Sequence, residues 1–139
     1  MLAACQHAVT KLLIVDDDLD IRESLAEFLS DHGYEVRTAR DGEEGMRCLE
    51  AELPEVILLD VKMPIMDGRA MALRMLLHDA GLEYIPVVLF SGGVDLPRVA
   101  REIDTPYYLA KPASVALLLR TLERAARERV HPKQGATDG

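Results

Sequence analysis

Five short runs with strand character are spaced along the 139 residues: "KLLIV" (11–15), "EVRTA" (35–39), "VILLD" (56–60), "PVVLFS" (86–91) and "YYLAK" (107–111). A helical pattern follows each of them. This alternation constrains the fold more than any other feature, because neighbouring parallel strands need a long crossover and a helix is its usual form. "KLLIV" and "VILLD" are apolar without alternation, as expected of strands covered on both faces. "EVRTA" alternates and reads as a short strand near a sheet edge.

The intervening segments carry helix signals. Ile21, Leu25, Phe28 and Leu29 recur at helical spacing, with Arg22, Glu23 and Glu27 directed away. Gly33 stands where a helix end favours a residue that tolerates positive φ. "DGEE" at Asp41–Glu44 has the spacing of a capping box and opens a helix to about Leu53, which Pro54 stops. Asp67 to about Leu77 forms a third helix, with Met71, Leu73, Met75 and Leu76 as its apolar surface. Asp95 to Glu102 is short and tolerates Pro97 only in its first turn. Ser114 to about Arg129 places Val115, Leu118, Leu122 and Ala125 on one face and Arg120, Arg124 and Arg127 on another. From His131 onward "HPKQGATDG" is expected to fray. Five such repeats predict one doubly wound parallel α/β sheet.

Composition supports a single soluble domain. The chain is 49% hydrophobic and 29% charged, enough for a core and too apolar for a disordered chain. A net charge of −8 disfavours nucleic-acid binding by the domain as a whole. The charge is uneven: residues 1–97 hold eight Lys/Arg against nineteen Asp/Glu, whereas residues 98–133 hold eight against four. Cys5 and Cys48 have neither metal-site spacing nor the look of a disulfide framework, which suits a reducing, cytoplasmic setting. No apolar run approaches the roughly 20 residues of a membrane span. "LAAC" at Leu2–Cys5 resembles a lipoprotein cleavage box, but the stretches that should precede it are missing and chance explains it better. The chain reads as a complete cytosolic module.

In open α/β sheets ligands bind beyond the carboxyl ends of the strands, where strand order reverses. Asp16 and Asp17 close the first predicted strand, Asp60 the third, Ser91 the fourth and Lys111 the fifth. Each has an ordinary reading alone: a solvated acidic loop, a turn hydroxyl, a surface lysine. Asp18 or Asp20 is expected to cap the first helix. Together, carboxylates with one lysine and one hydroxyl on a single edge suit a hard cation and a phosphoryl group. Mg²⁺ takes oxygen ligands, and a lysine and a metal can balance charge on a transferring phosphoryl group.

"LLIVDDDLDIRESLAEFL", "VILLDVKMPIMDG", "VVLFSGG" and "YYLAKP" together resemble the receiver domain of two-component response regulators. The likeness runs from Lys11 to about Arg129, leaving residues 1–10 as an extension and 130–139 as a flexible tail. The resemblance implies a flavodoxin-like (βα)5 fold with strand order 2-1-3-4-5. It implies that Asp60 accepts a phosphoryl group from a histidine kinase or histidine phosphotransfer protein, giving an acyl phosphate. Asp17 then corresponds to the direct Mg²⁺ ligand and Asp16 to the acid acting through water, with the backbone carbonyl of Lys62 as a further ligand beside Asp60. Lys111 corresponds to the lysine that pairs with Asp60 and then with the phosphoryl oxygens, and its bond to Pro112 is expected to be cis. Ser91 corresponds to the hydroxyl that bonds the phosphoryl group, and Gly92 leaves that group open to solvent. Tyr108 corresponds to the aromatic that turns inward on activation, altering the surface of the fourth helix, fifth strand and fifth helix. That surface is where a downstream protein, an effector domain or a second copy would dock, with no direct nucleic-acid or membrane contact by this domain. Lys62 is unusual two residues after the acceptor and is expected to alter the phosphoryl lifetime. The fourth helix looks short and Gly-led, which sets this chain apart from the family at the switch.

Two other classes remain at this level. One is a receiver-like binding module that is never phosphorylated. The other is a phosphohydrolase of the haloacid-dehalogenase type with its nucleophile in "DDD", which leaves Asp60 unexplained. The chain could be a stand-alone receiver, a relay intermediate or a piece of a longer regulator.

Overall fold

In the computed structural model, which describes residues 9–78 and 81–132, the strands are β1 (Thr10–Val15), β2 (Tyr34–Ala39), β3 (Val56–Leu59), β4 (Val87–Ser91) and β5 (Tyr107–Ala110). The helices are α1 (Leu19–Ser30), α2 (Gly42–Ala51), α3 (Gly68–Leu77), α4 (Leu96–Ile103) and α5 (Val115–Glu128). All recorded strand pairings are parallel and the order is β2-β1-β3-β4-β5. The reversal between β1 and β3 creates the crevice expected of this topology. "EVRTA" is indeed an edge strand, with β5 at the other edge.

The inner strands β1, β3 and β4 are buried on both faces because they carry apolar residues at successive positions, whereas β2 and β5 are partly exposed. Leu12, Ile14, Leu58, Val88 and Phe90 join Leu29 of α1 and Leu118, Leu122 and Ala125 of α5 on one side. Leu13, Val15, Ile57, Leu59 and Leu89 join residues of α2, α3 and α4 on the other. The helix starts follow the sequence signals. Asp18, Asp41, Asp67, Asp95 and Ser114 each accept a hydrogen bond from a first-turn backbone N–H. Gly33 lies at φ +91, the left-handed value expected for it.

Several expectations require correction. Glu44 closes its box one residue early, accepting from the Arg40 N–H at 2.7 Å rather than from Asp41. α2 ends at Ala51, not near Leu53. Pro54 biases the preceding chain toward extended conformations, and the extended Glu52 meets Lys11 and Arg37 instead. Leu73 and Val115 are exposed, because α3 turns Met71, Ala72 and Met75 inward and α5 turns Leu118, Thr121 and Leu122. α4 is short, yet Leu96, Val99, Ala100 and Ile103 are all buried at helical spacing. A 3-10 turn at Leu82–Tyr84 precedes β4 and had no clear sequence signal. His131 and Pro132 do not fray: Pro132 is buried. Residues 133–139 and Cys5 lie outside the described residues.

Candidate functional site

The parallel register of β1 and β3 pairs Val15 with Leu59, so the next residues, Asp16 and Asp60, come side by side. Backbone bonds continue the ladder past the strand ends: Asp16 N–H donates to Ala39 O and Asp60 N–H to Val15 O. β4 and β5 deliver Ser91 and Lys111 to the same edge, joined by the Lys111 N–H bond to Ser91 O. Asp16, Ser91 and Asp60 are only 3%, 2% and 7% exposed. Asp17 is exposed.

Carboxylate oxygens of Asp16, Asp17 and Asp60 lie within 4.8 Å of one another. Asp60 Oδ1 accepts from the Ser91 hydroxyl at 2.6 Å and from the Val61 N–H at 2.8 Å. Its Oδ2 lies 3.6 Å from Lys111 Nζ. The ammonium is nearer to Asp16 Oδ2, at 2.7 Å. The lysine therefore bridges both acids and bonds Asp16 more closely, whereas the resemblance placed it chiefly on Asp60. Burial pushes the Asp60 carboxyl above the ordinary carboxylate range, with Asp16 adding to the rise, while the Ser91 hydroxyl, Lys111 and the Val61 amide oppose it.

The acidic triplet divides as its neighbours dictate. Asp16 has both oxygens engaged, Oδ1 by the Asp18 N–H at 2.9 Å and Oδ2 by Lys111. Asp18 accepts from the Ile21 N–H and caps α1. Asp17 is left facing solvent beside the other two acids. Three carboxylates stand against one ammonium, a deficit of two positive charges that a divalent cation matches. An all-oxygen donor set of this kind suits Mg²⁺.

Residues not singled out from the sequence complete the site. Arg22 does not point away: its Nη1 donates to Asp16 O at 2.8 Å and holds the acid's backbone. Gly68 starts α3 against the Asp60 peptide, and a Cβ there would lie 2.3 Å from Asp60 O. Its N–H donates to Val61 O. The motif "MDG" carried that signal, since close backbone approach requires glycine. Ile65 has φ 70 in a three-residue turn closed by the Met66 N–H on Pro64 O, and it is 76% exposed. A β-branched residue rarely adopts this conformation, and nothing in the sequence announced it. Lys62 is exposed. The Lys111–Pro112 peptide is cis. Gly92 would admit a Cβ at ordinary contact distance from Lys111, so packing in this state does not require a glycine there. Tyr108 is 42% exposed.

The family model of the response regulator receiver domain matches residues 12–123. The chain belongs to this family. The receiver is 35% identical over 127 residues to "Response regulator MprA" of Mycolicibacterium vanbaalenii, covering 91% of this chain and 54% of that protein. It thus spans about half the length of the curated relatives it matches. A putative response regulator from Chloroflexus aurantiacus superposes with a TM-score of 0.77 at 31% identity, covering 85% of the receiver and 98% of that structure. The signal receiver domain of a histidine kinase from Syntrophus aciditrophicus gives 0.74 at 30% identity, covering 92% and 99%. The flavodoxin-like fold and the phospho-accepting signalling role of two-component receivers follow for this chain. Among the described residues no helix is long and apolar enough to cross a membrane.

Proposed function

We propose that Asp60 is the phospho-acceptor, supplied by a sensor histidine kinase or a histidine phosphotransfer protein in the cytoplasm. The observation that carries this reading is the gathering of three carboxylates within 4.8 Å of one another at the sheet's carboxyl edge, two of them, Asp16 and Asp60, facing one lysine ammonium. Asp60 Oδ1 already accepts two hydrogen bonds, so Oδ2 holds the less engaged electron pairs and is the nucleophile. Its P–O bond forms as the donor's P–N bond breaks. Lys111, within reach of Oδ2, neutralises charge growing on the phosphoryl oxygens.

Asp17, Asp60 and the Lys62 carbonyl are the groups that would hold Mg²⁺, and Asp16, with both oxygens occupied, would act through water. The ion supplies positive charge for the transferring phosphoryl group. The domain's chemistry is confined to its own phosphorylation and dephosphorylation. Lys62 adds a cation at the rim that alters the lifetime of the acyl phosphate, and Gly92 keeps that group open to water.

Switching starts at Ser91. Its hydroxyl is now spent on Asp60 Oδ1, and a phosphoryl group offers it a stronger acceptor. Movement of Ser91 opens room beneath β5 for Tyr108, which changes the α4-β5-α5 surface. A downstream protein, an effector domain or a second copy of the receiver reads that surface, with the exposed arginines Arg120, Arg124 and Arg127 at its margin. Nucleic acid and membrane are not its direct partners.

The test is incubation with acetyl phosphate and Mg²⁺, followed by intact-mass measurement and hydroxylamine lability. One labile phosphoryl group, absent from Asp60→Asn, is expected. Labelling that persists in Asp60→Asn, or none in the wild type together with no Mg²⁺-dependent beryllofluoride binding, overturns the reading.

A further inference from the structure

The chain does not leave α5 freely. α5 packs on the same face of the sheet as α1, yet Pro132, four residues past its end, is buried and lines a small cavity with Ala72, Met75, Leu82 and Val87, which belong to the opposite face. The chain therefore crosses the amino-terminal edge of the sheet, the edge away from Asp60.

Three contacts define the crossing. Arg129 adopts a left-handed conformation, φ 58 and ψ 35, and its N–H returns to Ala125 O, which turns the chain out of the helix. The Tyr107 hydroxyl donates to Glu128 Oε1 at 2.9 Å, and the Arg124 guanidinium lies over the Tyr107 ring and 3.4 Å from the same carboxylate. The His131 ring meets Tyr84 edge-on at 5.2 Å, beside the buried Pro132. A loose tail has no reason to bury a proline or to hold a non-glycine residue in the left-handed region.

We propose that residues 129–132 are a strap, seated between α3 and the Leu82–Tyr84 turn, whose seating is coupled to β5 through Tyr107. Tyr107 is fully buried in β5 and adjoins Tyr108, whose side chain leaves the strand on the other side. A displacement of β5 that accompanies Tyr108 reaches Glu128 through the Tyr107 hydroxyl. A displacement that breaks the Tyr107–Glu128 bond removes one of the strap's three holds, so the state with Tyr108 inward favours release. By linkage, a seated strap favours the exposed Tyr108 seen here. Any chain that continues past Pro132 starts from beside the Leu82–Tyr84 turn, and its exit point is set by the strap. The coupling rests on the phospho-acceptor reading; the seat does not.

Nuclear magnetic resonance on the full chain tests both parts. In the metal-free protein, backbone order parameters of about 0.8 or more are expected at Val130 and His131, with nuclear Overhauser contacts from Pro132 to Leu82. Tyr84→Ala and Tyr107→Phe should each lower these to below about 0.6 and remove the contacts, while the amide spectrum of β1 and β3 shows the fold intact. Mg²⁺ with beryllofluoride should produce the same loosening in the wild type. Order parameters already below about 0.6 in the metal-free wild type overturn the strap. A bound fluorine resonance without loosening overturns the coupling alone. No bound resonance overturns the acceptor reading and the coupling with it, and the seat then stands or falls on the metal-free data.

Discussion

The two ends of the sheet are built on opposite physical principles. The carboxyl end gathers Asp16, Asp60, Ser91 and Lys111, three of them almost wholly buried, within hydrogen-bond or ion-pair reach. The amino end gathers Leu82, Val87 and Pro132, with the ion pairs of Lys11 and Arg37 to Glu52 left half-exposed. Buried charge is expensive unless it is matched, whereas apolar burial stabilises without further conditions. The carboxyl end is thus tolerated for its chemistry, and the amino end adds apolar burial to the core between sheet and helices. Replacing groups at the first end should damage function more than folding, and the reverse should hold at the second.

The sharpest contrast is Asp60→Asn. Phosphoryl incorporation should fall to background, a loss of at least roughly a thousandfold, while circular dichroism stays native. Next is Asp17→Ala, which removes an exposed carboxylate and nothing from the core. It should fold well, perform no worse in thermal melts without metal, and lose roughly a hundredfold in Mg²⁺-dependent phosphorylation. Normal phosphorylation of that variant would reassign the middle aspartate. Gly68→Ala breaks the division between the ends, because its Cβ collides with backbone at the site itself. A destabilisation of about 2–3 kcal/mol, read by urea unfolding, should accompany impaired phosphorylation.

A smaller effect follows from the raised proton affinity of Asp60. Above its folded pKa the native state holds an ionised carboxylate that the unfolded chain holds at lower cost, so this group subtracts stability there. Without metal, Asp60→Asn should therefore melt higher than wild type near neutral pH. The advantage should shrink as pH falls through the folded pKa of Asp60 and vanish below the ordinary carboxylate range. An advantage that grows on acidification would contradict a burial penalty on the Asp60 carboxylate. The smallest effect belongs to Lys62→Met. It should leave stability unchanged and shift acyl-phosphate decay by a small factor, and equal decay rates would remove Lys62 from the site.

Much of this was legible from the chain alone because it depends on local periodicity and covalent order. Unalternating apolar runs such as "KLLIV" dictate strands covered on both faces, and a helix between successive runs makes them parallel. The polar residues that end those runs must then share one edge. Asp16, Asp60, Ser91 and Lys111 were found in this way, and the structure brings them together. The helix caps were readable for the same reason, since a cap acts over three residues.

What the sequence did not determine depends on contacts between distant elements. Which acid Lys111 bonds most closely follows from how the end of β5 is placed relative to the end of β1, with β3 and β4 between them in the sheet. Arg22 looked like a solvated helix residue until α1 packed and its guanidinium reached the Asp16 carbonyl. Leu73 and Val115 carried a core pattern, but α3 packs through Met71, Ala72 and Met75 and α5 through Leu118, Thr121 and Leu122, which leaves them outside. Pro132 read as tail because nothing adjacent in sequence is apolar. Its partners, Leu82, Ala72 and Met75, lie fifty to sixty residues away and meet it only once the sheet has formed. Sequence order fixes which groups can reach an edge; only packing in three dimensions decides which of them touch.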